Sequence, residues 1–193
     1  MALSRPGTMG GNSKIALETA RWLSATGSDV HLVVLSDRLE TVEENLPSHA
    51  GIALHVVEAF SGNDKYRPIS AVMHFIPQVR SLFKKEGVGP SDIVWGISEF
   101  HNDVLPLFWL KREFGFRWIA SFFLFVPFVV ENLCRGYRFP AVKYLVYWIY
   151  ERLLFRLACM RADAFVITND TDRKYFSQSV QDKVFAFYGG VNV

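Results

Sequence analysis

Short apolar runs alternate with helix-period segments along almost the whole chain, and this alternation most narrows the folds open to it. Runs at 29–35, 51–57, 92–97, 116–125, 164–168 and 183–188 read as strands. Between them, 13–26, 69–85, 103–114, 140–161 and 171–177 read as helices, and 37–45 as a short polar helix or loop. In 69–85, Val72, Phe75, Ile76, Val79, Leu82 and Phe83 recur at helical spacing. The run 116–125 is apolar on both faces, as strands are when helices cover both sides of a parallel sheet. The fold class is therefore α/β, with a doubly wound, mostly parallel sheet in a single domain over 1–193. In such sheets ligands sit beyond the carboxyl ends of the strands. The loops after each strand are thus the ones to read for chemistry.

Composition removes several function classes. Net charge is +2 over 193 residues, so no broad positive field invites nucleic acid. The two cysteines, Cys134 and Cys159, sit in no CxxC or Cys/His cluster, which argues against zinc and a disulfide framework. No acidic pair has ligand-like spacing after a strand, so no metal is expected. The first ten residues carry Arg5-Pro6 and glycines rather than the apolar run of a signal peptide. Segment 118–130 is short and holds Pro127, and 142–160 carries Lys143, Glu151, Arg152 and Arg156. Neither supplies the ~20 apolar residues of a spanning helix. A cytoplasmic protein, peripheral on a membrane at most, is the expectation.

A glycine-rich turn opens the chain: Gly7-Thr8-Met9-Gly10-Gly11-Asn12-Ser13-Lys14 feeds the helix 13–26. It lacks the lysine of a P-loop and the G-x-G-x-x-G spacing of a dinucleotide fingerprint. Two readings stay open. The backbone of Gly10, Gly11 and Asn12 contacts a diphosphate at a helix N-terminus, or the turn is only a tight connection capped by Asn12 or Ser13. Residues 1–6 are too short for a full strand plus its loop, so the first strand reads as truncated and the chain as a fragment.

The segment Ser98-Glu99-Phe100-His101-Asn102-Asp103 follows the strand 92–97. It sets a carboxylate, an imidazole and an amide at the carboxyl edge of the sheet. These groups can hydrogen-bond sugar hydroxyls, and His101 can move a proton near neutral pH. The alternative is that Asn102 or Asp103 caps a helix from Val104 while Glu99 and His101 are merely solvated. Thr168-Asn169 lines the cleft or caps the next helix. His31 and His55 read as side chains at the edge of the core, and His74 as solvated.

Several stretches resemble family-4 glycosyltransferases of the GT-B fold. Residues Gly10 to Leu23 and Gly27 to Val34 are similar to that family's Gly-Gly turn, its helix ending in A-x-x-L, and its G-H-x-V entry to strand two. Ser91-Asp-Ile-Val-Trp-Gly96 resembles its D-V-I-H strand. Arg161-Ala-Asp-Ala-Phe-Val-Ile-Thr168 resembles R-A-D-x-V-I-x-V-S, and Phe187-Tyr-Gly-Gly-Val-Asn192 resembles N-G-V-D. The order and spacing of these pieces carry the resemblance more than any one of them.

The resemblance implies the Rossmann-like, acceptor-side half of a two-domain enzyme. Its donor-binding partner domain, absent from this chain, would leave the chain inactive alone. The implied reaction moves a sugar from a nucleotide-diphosphate sugar, a substrate rather than a cofactor, to a hydroxyl of a sugar or lipid-linked acceptor. From the residues themselves, the expected roles within that reaction are Gly10, Gly11 and Asn12 on the donor phosphates, His101 and Glu99 in catalysis, and Asn102, Thr168 and Asn169 on the acceptor. The family's histidine near 121–127 is replaced here by phenylalanines, which leaves room for a non-catalytic glycan- or partner-binding module of the same fold. The tract 131–161 interleaves basic and aromatic residues. It reads either as a helix packed in the fold or, with the loop 128–139, as a surface for anionic lipid.

Overall fold

The computed structural model describes residues 11–46, 51–59, 68–125 and 141–187. The chain divides into two compact units, Met1–Gly89 and Pro90–Val193.

In the first unit, α1 (Gly11–Ala25) leads to β1 (Val30–Leu35), a 3-10 turn, α2 (Leu39–Asn45), β2 (Ile52–Val57) and α3 (Pro68–Glu86). Gly27 ends the first helix with φ of 86°, a conformation open to glycine at little cost. The two strands pair in parallel from Val30↔Ile52 to Leu35↔Val57. Strand side chains alternate between faces. Val30, Leu32, Val34, Ile52 and Leu54 therefore meet Leu17 and Ala20 of α1 and Val42 and Leu46 beside α2 in one apolar cluster. The other face carries His31 and His55. There α3 is tied to the end of β2, since Glu58 N–H donates to Gln78 Oε1 at 2.8 Å.

The second unit holds β3 (Ile93–Gly96), α4 (His101–Phe114), β4 (Arg117–Phe122), α5 (Ala141–Arg161), β5 (Ala164–Ile167) and β6 (Val184–Ala186), with a 3-10 segment at Asp170–Tyr175. Its strands lie in chain order, β3-β4-β5-β6, and every pairing is parallel. Trp118, Phe122, Phe165 and Ile167 are fully buried. Phe155 stands edge-on to Phe122 with centroids 5.1 Å apart, and Phe176 edge-on to Phe155 at 4.9 Å and Phe165 at 5.1 Å. Much of the chain's phenylalanine is therefore spent on interdigitating rings in this core.

The turn from α5 into β5 is braced at three successive residues. Arg161 donates to the Phe108 carbonyl of α4 at 3.2 Å and lies 4.4 Å over that ring. Ala162 is buried. Asp163 Oδ2 accepts the Trp118 N–H of β4 at 2.7 Å and pairs with Lys111 Nζ of α4. Burial works against the Asp163 charge, but these two partners outweigh it and hold the carboxyl below its ordinary value.

All six expected strands are present within a few residues of their predicted bounds, and the α/β, parallel, Rossmann-like class holds. Two details differ. Among the described residues the strands form two sheets, β1–β2 and β3–β6, rather than one; residues 1–6, read as the truncated first strand, lie outside the described residues. The helix expected at 171–177 is a 3-10 segment over Asp170–Tyr175, entered through Asn169, whose Oδ1 accepts from Thr171 N–H at 3.0 Å.

Candidate functional site

The site begins with a missing side chain. A Cβ on Gly96 would lie 3.0 Å from Leu107 Cδ1 and 3.6 Å from Asp103 Cβ. Glycine at the end of β3 thus lets α4 pack directly on the strand. The chain then turns through Ser98 and Glu99, and α4 starts at His101, three residues before the helix expected from Val104. Asn102 and Asp103 are therefore in the first turn and do not cap it. The Phe100 carbonyl accepts from both Asp103 N–H and Val104 N–H at 3.0 Å. Asp103 instead reaches back, accepting from Ser98 Oγ at 2.5 Å, which fixes the turn that carries Glu99.

Glu99 is 4% exposed rather than solvated. Burial pushes its carboxyl pKa up, against the backbone N–H groups of Glu99 itself and of Phe123, and nearby Asp103 pushes the same way. Its Oε2 is buried with no hydrogen-bond partner among the described residues, and the same holds for Asn102 Oδ1 and the Tyr150 hydroxyl. His101 is half-buried, 5.9 Å from the Tyr150 ring. Burial lowers its pKa despite the opposing Asp103 charge.

On α5, burial first and then Tyr147 push the Tyr150 phenol up to about 12. Tyr147 is raised by burial, by buried Glu151 and by Glu99. Near neutral pH the cluster therefore offers a neutral imidazole, neutral phenols and buried oxygens lacking partners. Buried polar atoms without partners are costly, and a ligand rich in hydroxyl groups can satisfy them.

Glu99, His101 and Asn102 thus share the passage from β3 into α4, and Tyr150 of α5 stands beside His101. Thr168 joins them at one remove: its Oγ1 donates to the Phe123 carbonyl at 3.0 Å, while Phe123 N–H faces Glu99. Asn169 is occupied by its capping bond. In the first unit, Gly11 is the first residue of α1 and Asn12 follows it. A Cβ on Gly11 would meet nothing within 4 Å, and no acidic residue stands in that first turn. Gly10 and the loop 128–139 lie outside the described residues. Tyr147, Tyr150 and Glu151 were not singled out as site residues from the sequence, although their helical spacing places them on neighbouring positions of one helix.

The model of the glycosyl transferase 4-like domain matches residues 10–184. The chain belongs to this family. The match runs from the glycine turn to the first residue of β6, so it spans both units of this glycosyl transferase 4-like domain. No curated protein matches the chain. Among the described residues, no helix is long and apolar enough to cross a membrane. Phe122 and Phe123 are both buried in the core.

Proposed function

We propose that this glycosyl transferase 4-like domain is the acceptor-side half of an enzyme that transfers a sugar from a nucleotide-diphosphate sugar to a hydroxyl. The observation that carries the reading is the buried set of unpartnered oxygens at the carboxyl end of β3: Glu99 Oε2, Asn102 Oδ1 and the Tyr150 hydroxyl. Acceptor hydroxyls would donate to the first two, and the Tyr150 O–H would donate to an acceptor oxygen. Glu99, held above its ordinary pKa, would take the proton from the attacking hydroxyl, with His101 beside it as relay. Gly10, Gly11 and Asn12 would hold the donor diphosphate through backbone N–H groups at the start of α1. A second domain would supply the rest of the donor site.

A lipid-linked acceptor fits the outward side of α5, where Val146, Ile149 and Leu153 are exposed beside Arg156. Apolar residues with cations suit an anionic membrane surface.

Binding of sugars to the chain alone tests the acceptor reading without requiring activity. Saturation-transfer NMR should show contacts from a glycan panel, including a lipid-linked sugar in vesicles, and Asn102→Ala should remove them. Silence across the panel with a folded protein would remove the acceptor reading.

The buried phenylalanines in place of the family's histidine favour a second reading, a non-catalytic glycan-binding module. The two separate on one measurement. With a donor domain present, Glu99→Gln abolishes transfer while sparing glycan binding in the first reading, and there is no transfer to lose in the second.

A further inference from the structure

Among the described residues, one group of His, Cys, Asp and Glu side chains brings three ligand atoms within 4.8 Å of one another: His31, His55 and Glu86. The group lies wholly in the first unit. The pairing of His31 with Ala53 and of Val33 with His55 makes the two histidines diagonal neighbours on one face of β1–β2. His31 Nδ1 and His55 Nε2 are 2.9 Å apart, with the rings only 12° from parallel. Glu86, the last residue of α3, closes the triangle: its Oε2 is 3.9 Å from His31 Nδ1 and its Oε1 is 3.9 Å from His55 Nδ1. Behind His31, its Nε2 stands 3.4 Å from Asp29 Oδ1.

We propose that this triangle binds a late first-row divalent cation of the Zn2+ type through His31 Nδ1, His55 Nε2 and the Glu86 carboxylate. The donor set suits that ion. Two imidazoles with one carboxylate match zinc and its neighbours, whereas Ca2+ and Mg2+ take oxygen alone. At Zn–N distances of about 2.0–2.1 Å, two ligands of a tetrahedral ion stand about 3.3 Å apart. The separations of 2.9 Å between the two nitrogens and 3.9 Å from His31 Nδ1 to Glu86 Oε2 bracket that value, and with all three ligand atoms within 4.8 Å of one another, side-chain rotations that turn the Glu86 carboxylate toward His55 Nε2 complete the site.

Asp29, exposed and 3.4 Å from His31 Nε2, stands where a carboxylate can reach the other nitrogen of a ligating histidine. The side chains are partly enclosed, at 37% exposure for His31, 14% for His55 and 23% for Glu86. The ammonium of Lys85 lies 3.4 Å from Glu86 Oε1 and competes for that oxygen, while Oε2 faces His31.

Position argues for a structural ion. A helix that follows a parallel strand returns toward the strand's amino end, and Glu86 is at the far end of such a helix. The ion would clamp α3 to β1 and β2 on the side opposite the loops where α/β sheets bind their substrates. The inference is independent of the sugar-transfer reading.

The test uses the full chain, treated with chelator, desalted and titrated with ZnCl2 in a calorimeter. One equivalent should bind, and the thermal midpoint should rise and fall back on adding EDTA. Co2+ in its place should give the visible absorption of a tetrahedral site. Glu86→Gln keeps both imidazoles and the side-chain shape and should weaken binding by about 100-fold. Asp29→Asn should weaken it by about tenfold, the lower end for an outer carboxylate. His74→Ala, exposed on α3 outside the triangle, should leave it unchanged. His31→Ala, checked for folding by circular dichroism, should abolish it. Absence of binding by the wild-type chain at micromolar Zn2+ overturns the proposal. So does one-equivalent binding that survives both Glu86→Gln and His31→Ala.

Discussion

Glu99 with His101 in one unit, and Glu86 with His31 and His55 in the other, combine the same side-chain chemistries in opposite settings. The first group stands at the carboxyl end of β3 and is buried, with oxygens that find no partner among the described residues. The second lies on a strand face, half-open to solvent, and its members face one another. Burial lowers both His55 and His101, yet their neighbours differ. Glu86 pulls His55 back toward the charged form and Asp103 does the same for His101, but His55 stacks on a second imidazole while His101 packs beside the Tyr150 ring. The first group leaves buried hydrogen-bonding capacity unused, whereas the second meets itself, with His31 Nδ1 at 2.9 Å from His55 Nε2. Residue type alone does not separate the two cases; the neighbours do.

The largest effect that would sharpen this contrast is on transfer. In the enzyme completed by a donor domain, Glu99→Gln should lower kcat/KM for the acceptor by about 100-fold or more, measured against donor KM as control. The same variant should be more stable than wild type at neutral pH. A carboxyl raised by burial stabilises the fold only while it holds its proton. That contribution is complete below the ordinary carboxyl pKa and lost as pH rises toward the raised value. Thermal midpoints taken across pH should thus converge on the acid side. Equal midpoints at neutral pH would mean that Glu99 is not strained by its setting.

Next in size is Gly96→Ala. A methyl 3.0 Å from Leu107 Cδ1 forces α4 away from β3, and overpacking of this kind costs about 1–3 kcal/mol. Denaturant melts would read the cost, and glycan binding should weaken with it, while Zn2+ binding in the other unit stays unchanged. Loss of both would break the contrast.

Asp163→Asn should cost about 1–2 kcal/mol through its bonds to Trp118 N–H and Lys111. Because the Asp163 carboxyl is held below its ordinary value, its contribution is present above the usual carboxylate pKa and disappears as pH falls through the lowered one. Wild type and variant should therefore converge only in strong acid, by urea melts at several pH values. The smallest effect is expected of Tyr150→Phe. Removing an unpartnered buried hydroxyl should leave stability within about 1 kcal/mol, and reduce glycan affinity several-fold by titration.

Strands were readable because burial on both faces writes itself as unbroken apolar runs, as in Trp118 to Leu124. The start of α4 was misread because Asn102 and Asp103 look like caps, whereas the turn is held by Ser98 reaching Asp103 and by the Phe100 carbonyl. Placement of Glu99, His101 and Asn102 was legible from the rule that loops after strands bear ligands. Tyr147 and Tyr150 were hidden because α5 is apolar nearly all round, and periodicity then does not mark the side that faces the turn after β3. The His31–His55 contact depends on the register of β1 against β2, and on where a long helix ends. Local sequence carries neither.

The bracing at Arg161, Ala162 and Asp163 bears on how such domains are recognised. These residues carry part of the resemblance to family-4 glycosyltransferases, yet each engages the scaffold: a carbonyl and ring on α4, a buried corner, and a strand N–H with a lysine. Selection on folding alone would preserve that triplet in a descendant that had lost its chemistry. In this chain the triplet therefore reports architecture, and the chemistry has to be read elsewhere, by the substitutions at Glu99 and Tyr150.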